Sequence, residues 1–331
     1  MARAVAGLLT ALGCLTAGAE VEDVLTRAST VSAKAGQAMM LAVARAGDRL
    51  IAVGERGIVL VSDSEARQWL QVATPVSVTL TAVHFPDARN GFAVGHGGVV
   101  LGTGDGGRTW RRLLDGRHAA EAARSVADGP DKPFLGVHFS DARKGVAVGA
   151  FGMAMATEDG GESWRPADDR VPNKMHSHLY RIVAYKHLRW LVGEQGALFL
   201  SRDGAASFEA LSLPYAGTLF GLVAVSERDW VVYGLRGNIF RTADAGGSWH
   251  KVPNSNGVTI THGLALADRR VVLVDQGGKV LIMSPGGASL TPLTTNGLPT
   301  INAVVDVANG TLVLATVRGM RSLSITQPSK S

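Results

Sequence analysis

Four carboxylates recur at one place in a repeated pattern, and they are the first candidates for chemistry. Asp105, Asp159 and Asp244 stand third in Thr103-Gly-Asp-Gly-Gly-Arg-Thr-Trp110, Thr157-Glu-Asp-Gly-Gly-Glu-Ser-Trp164 and Thr242-Ala-Asp-Ala-Gly-Gly-Ser-Trp249. Asp203 stands third in Ser201-Arg-Asp-Gly-Ala-Ala-Ser-Phe208, where Ala205 replaces a glycine and Phe208 the tryptophan. This is turn chemistry. The carboxylate accepts nearby backbone N–H groups, and Gly takes a conformation that a residue with Cβ resists. A glycosidase needs two acids placed across the scissile bond, whereas these four are committed to turns. They are read as structural, each with its aromatic partner Trp110, Trp164, Phe208 or Trp249, and no catalytic residue is assigned.

The other candidate is His176-Ser-His178, since two histidines one apart on a strand face the same side. No third ligand stands out, so no metal is expected, nor any cofactor. His178 is read instead as a hydrogen-bonding residue at the start of a strand. His84 and His138 recur in Val83-His-Phe85 and Val137-His-Phe139. Such recurrence points to packing or local hydrogen bonds.

The elements that carry these residues follow from a second period. Gly57, Gly98, Gly152, Gly196, Gly237, Gly278 and Gly319 are spaced by 41, 54, 44, 41, 41 and 41 residues. Each follows an apolar run such as Leu50-Ile-Ala-Val53 or Val271-Val-Leu-Val274 and precedes another. Seven units of short strands with no helical pattern predict an all-β, seven-bladed β-propeller. The carboxylate stretches resemble the Asp-box, also called the bacterial neuraminidase repeat, and fall at the turn between the third and fourth strands of a blade.

The chain has 331 residues, 46% of them hydrophobic, with 41 glycines. One closed ring accounts for this length. The net charge is +5 with arginines scattered, so nucleic acid is not an expected partner. Residues 1–19 read as a signal peptide, with Arg3 ahead of an apolar stretch and Ala17-Gly-Ala19 as a cleavage site. The sole cysteine, Cys14, lies inside it. Periplasmic export is expected, with a lipoprotein cleaved before Cys14 or an anchored form facing the periplasm or lumen as alternatives. Residues 20–331 then form the propeller. Its seventh unit ends before a fourth strand, and residues of about 20–34 are expected to supply that strand and close the ring. The spacing of 54 marks an insertion at about 115–132.

The turns between second and third strands would share one face with this insertion. Arg56, His96, Phe151, Arg236 and Arg318 stand in those turns and are the candidate partner-binding residues. The arginines suit an acidic partner and Phe151 an apolar anchor. Sialidases resemble this chain in their boxes and propeller, but Tyr180-Arg-Ile-Val183 lacks the proline of their arginine motif. Two phrases, Ala82-Val-His-Phe-Pro-Asp-Ala-Arg-Asn-Gly-Phe-Ala-Val-Gly95 and Gly136-Val-His-Phe-Ser-Asp-Ala-Arg-Lys-Gly-Val-Ala-Val-Gly149, carry a closer likeness. With the seven units, the chain resembles the photosystem II assembly and stability factor family. The resemblance implies a non-enzymatic exported propeller whose partner is a membrane-protein complex; the chain itself is expected to be a monomer. That client would be photosystem II in a phototroph and an envelope or transporter complex elsewhere. The alternatives are a glycan-binding protein, or a glycoside hydrolase of the sialidase kind.

Overall fold

Each glycine-bounded apolar run forms the second strand of an antiparallel sheet, and seven such sheets surround a channel. A computed structural model describes residues 23–62, 66–118, 132–295, 297–307 and 310–325. The first blade is typical, with Met40–Ala46 innermost, then Arg49–Gly54, Val59–Ser62 and Leu70–Val72 in sequence order. The other inner strands are Leu80–His84, Phe134–Phe139, Leu179–Tyr185, Leu219–Ala224, Ile260–Ala265 and Ile301–Val307. They neighbour one another around the ring, the first touching the seventh.

The unbroken apolar runs have a simple cause. A second strand is covered on both faces, so both sets of alternating side chains must be apolar. Ile51 and Val53 face the second blade, while Leu50 and Ala52 face the seventh. Seven apolar clusters result, one between each pair of adjacent blades. The core is therefore distributed around the ring.

The carboxylate stretches occupy the turns between third and fourth strands, as expected. Asp105 Oδ1 accepts the Thr103 hydroxyl at 2.7 Å and the N–H groups of Arg108 at 2.8 Å and Thr109 at 3.0 Å. Its Oδ2 accepts the Thr109 hydroxyl at 2.6 Å. Asp159, Asp203 and Asp244 repeat this pattern on Ser163, Ser207 and Ser248. Trp110 and Trp164 lie buried beneath, each donating its indole N–H to a box carbonyl at 3.1 Å. In the fourth blade Ala205 takes the glycine's place at φ 79°. Trp249 departs from the pattern: its indole nitrogen is buried without a hydrogen-bonding partner.

These bonds hold Asp105 and Asp203 near a pKa of about 2. For Asp105 burial works against the shift, and the hydrogen bonds from Thr109, Thr103 and Arg108 outweigh it. A depressed carboxylate pKa stabilises the fold above the unfolded value, and the contribution is lost as pH falls through the folded value. This acid window lies below about pH 4. Asp105→Ala should cost about 1–2 kcal/mol through its lost acceptor, read as a lower urea midpoint, with partner affinity retained.

Ring closure differs from expectation. The seventh sheet has three strands among the described residues, and residues 23–34 do not pair with it. They cross the first and second blades instead. Ser77 N–H donates to Val24 O at 2.9 Å, Ser29 N–H to Thr74 O at 2.9 Å, and Ser32 N–H to Gln71 Oε1 at 2.8 Å. Leu25 decides this placement, because it is buried in the cluster between these two blades. The ring closes through side-by-side packing of blades seven and one. Asn302 Nδ2 donates to Met40 O at 2.8 Å and Gly319 N–H to Ala38 O at 2.9 Å. The insertion leaves the second blade at buried Asp115, which accepts the Arg117 N–H at 3.1 Å. Residues 119–131 of that insertion and the expected signal peptide lie outside the described residues.

Candidate functional site

The turns between second and third strands share one construction. In five of the seven the middle residue is left-handed: Arg56 at φ 53°, Phe151 at 55°, Gln195 at 57° and Arg236 at 56°, with Gly97 in that place in the second blade, whereas Gly277 and Arg318 of the sixth and seventh are not. For a residue with Cβ this conformation costs about 1–2 kcal/mol. Arginine and phenylalanine are thus kept where glycine fits better, and their side chains are exposed. Such outliers cluster at functional positions.

All five expected face residues, Arg56, His96, Phe151, Arg236 and Arg318, are exposed. They stand on five blades, so they mark a face rather than a cluster. None of the three arginines forms an ion pair among the described residues. Phe151 is 55% exposed, with Lys132 Nζ 5.3 Å from its ring centre and the His178 ring at 4.7 Å. His178 has the local role expected of it. Its N–H donates to Glu194 Oε1 at 3.0 Å, and its Nδ1 lies 3.0 Å from the same oxygen. The Phe151 N–H is 3.4 Å from Nδ1. One tautomer serves only one of these partners, and the shorter distance makes Nδ1 the donor to Glu194. His176 is exposed and apart from this arrangement.

Two features of the face escaped the sequence reading. The first is a groove of about 710 Å³ beside Arg56, walled by Arg27 and Lys34 of the leading segment. The second is the channel mouth. Every inner strand carries one bulged residue, seen as a register shift: Leu41, Thr81, Leu135, Tyr180, Phe220, Thr261 and Asn302. With Arg181, Thr259 and Gln276 they line a cavity of about 250 Å³. Three stitch neighbouring blades: Thr81 and Thr261 donate to Phe134 O and Ile301 O at 2.7 and 2.6 Å, as Asn302 does to Met40 O. A signal existed, since each bulged residue stands 16 or 17 positions before its unit's turn glycine.

His84 and His138 meet between the second and third blades, with ring centres 4.5 Å apart. His84 Nδ1 accepts the Phe139 N–H at 3.2 Å, while His138 Nε2 is enclosed without a partner. Burial, aided by the nearby Arg189 charge, lowers the His84 pKa to about 4. Burial, then the charges of His84 and Arg189, lower that of His138 to about 2. Both are neutral at pH 7, as a packing role requires.

Seven blades, four of them with Asp-box turns, and an exposed, partly basic turn face define the class: an Asp-box β-propeller. The chain belongs to the family described as photosynthesis system II assembly factor YCF48, whose sequence profile matches residues 61–127 and 117–319. The photosystem II assembly lipoprotein Ycf48 of Synechococcus sp. (strain CC9902) is 27% identical over 207 residues, covering 61% of this chain and 58% of that protein. The match thus spans less than two thirds of the relative's length. The solved YCF48 of Cyanidioschyzon merolae superposes with a TM-score of 0.69 at 14% identity, over 89% of this chain and 97% of that one. A YCF48 solved bound to a D1 peptide gives 0.55 at 20% identity, over 75% and 82%.

Proposed function

We propose that this chain is a non-enzymatic, exported assembly or accessory factor that docks a segment of a membrane-protein complex on its turn face. The observation that carries this reading is the set of exposed side chains held left-handed at Arg56, Phe151 and Arg236. Three unpaired arginines offer charge to an acidic segment, and Phe151 offers an apolar anchor. The YCF48 solved bound to a D1 peptide supports this reading, since there a propeller of the same family holds a peptide. The box carboxylates are saturated with hydrogen bonds and, for Asp105 and Asp203, titrate near 2. A general acid needs the opposite shift. The protein acts as a monomer in the periplasm or lumen. Its client is photosystem II in a phototroph and an envelope or transporter complex elsewhere.

Crosslinking a tagged full chain in living cells tests this. A specific membrane complex should co-purify from the membrane fraction. Arg56→Glu with Arg236→Glu should weaken that capture by about tenfold or more, as expected when charges are reversed at an interface, with little change in melting temperature. Recovery of the chain alone, or an unchanged partner profile in the double variant, would sink the docking face.

A further inference from the structure

The channel mouth holds a cation that the fold itself does not use. Directly after each bulge, the first paired residue of the inner strand is Ala42, Ala82, Gly136, Arg181, Gly221, His262 or Ala303. Five of these are small. Arg181 stands between the two glycines, and a Cβ at Gly136 would lie 3.1 Å from its Cα. Its side chain lines the cavity of about 250 Å³. It forms no hydrogen bond or ion pair with any described residue. A partly buried guanidinium without a counter-charge is costly.

The neighbours of Arg181 have the same incompleteness. The Nδ1 of His262 is enclosed without a hydrogen-bonding partner. Burial, then the Arg181 charge, push the His262 pKa well below 6.5, so the ring is neutral. Tyr233 pairs with Gly221 across the strands and is fully buried, its hydroxyl without a hydrogen bond of ordinary geometry. Burial raises its pKa while Arg181 and the Gly263 backbone oppose the rise. Both rings therefore lie within reach of the Arg181 charge. The Thr261 and Asn302 side chains are already engaged with the next blade. The walls also carry Leu41, Leu135 and Phe220.

We infer that the channel mouth is a carboxylate site, in which the Arg181 fork binds one carboxylate and the apolar bulge residues cover a short aliphatic tail. The planar guanidinium matches a carboxylate in a bidentate pair. A multiply charged anion fits less well, because the apolar walls leave its further charges unsolvated. Glu194, whose charge acts on the rim residue Tyr180 after burial, repels it as well. The site is separate from the exposed arginines and stands whether or not the turn face docks a client. The same chemistry has two sources, a free short-chain acid and the C-terminal end of a polypeptide.

The test is a titration of the full chain with butyrate, with butyramide, and with Ala-Ala-Ala-Val as the free acid and as the amide. Saturable binding of the acids but not the amides is expected, weakened about tenfold or more in Arg181→Gln, as for any lost charge-assisted pair. Tighter binding of the peptide acid than of butyrate assigns the site to a chain end, and the reverse order to a free acid. Because Arg181→Gln could misfold, the His262 ring resonances of the wild-type protein provide a second reading. They should move with either acid, since a nearby anion favours the protonated ring. Absence of saturable binding, equal binding of the amides, undiminished binding to folded Arg181→Gln, or acid binding that leaves His262 unmoved would each overturn the site.

Discussion

Gly278→Ala should lower stability by about 2–5 kcal/mol, adding the left-handed strain of a Cβ to the cost of overpacking. Gly278 closes the turn of the sixth blade at φ +80°, and a Cβ there would lie 2.0 Å from Leu298 O and 3.1 Å from Pro299 O. Both obstacles are backbone, so neither can swing aside. The turn is fixed against that same connection, with Thr300 Oγ1 donating to Gln276 O at 2.7 Å. At this chain length the loss corresponds to a fall in melting temperature of roughly 3–7 °C. Gly286→Ala separates the two causes. Gly286 also has φ +80°, but nothing lies within 4 Å of its added Cβ. It should show only the conformational cost of about 1–2 kcal/mol. Equal destabilisation of the two variants would remove the steric argument.

The second large effect is a loss of stability between pH 7 and pH 5. His84 and His138 have folded pKa values lowered to about 4 and about 2, below the ordinary 6.5. In this window the unfolded chain binds protons that the folded chain refuses, so stability falls as pH falls. Each ring contributes about 1–2 kcal/mol at pH 5, and the pair about 2–4 kcal/mol. The buried Arg189, whose Nη1 donates to Lys186 O at 2.6 Å and Leu188 O at 2.8 Å, makes a second charge there unwelcome. Urea unfolding at the two pH values measures the drop. His262, whose pKa burial also pushes well below 6.5, adds to the same drop, so His138→Phe should remove about a third of it; the His138 ring makes no hydrogen bond with the described residues and borders a cavity of about 180 Å³. The Asp-box carboxylates titrate below this window and do not confuse it. Equal stability at pH 7 and pH 5, or a drop undiminished in His138→Phe, would contradict the assignment.

The architecture was legible because its causes are local and repeated. Gly278 and its six counterparts recur because each must be left-handed, and most meet the next connection closely. Asp105 and its counterparts recur because each turn leaves the same N–H groups to satisfy. The second strands read as unbroken apolar runs because each is packed on both faces. The five face residues were found by the same phasing, which places every turn between second and third strands on one side.

What the sequence could not show depends on distance around the ring. Leu25 was read as part of a closing strand, since a short apolar stretch does not say which blades it will lie between; its burial beside Val76 and Val78 decided that. Arg27 and Lys34 joined the groove at Arg56 only as a consequence. Arg181 stands out in the sequence only in Tyr180-Arg-Ile-Val183, which lacks the proline of the sialidase arginine motif. Only the closed ring sets it beside His262 and Tyr233 and inside a wall of bulged residues from every blade. Local pattern determined the turns, strands and blade count because backbone hydrogen bonds and packing faces repeat along the chain. The tertiary structure alone decided the closure, the groove and the channel mouth, because their residues come from units far apart in sequence and acquire a common environment only when the ring is complete.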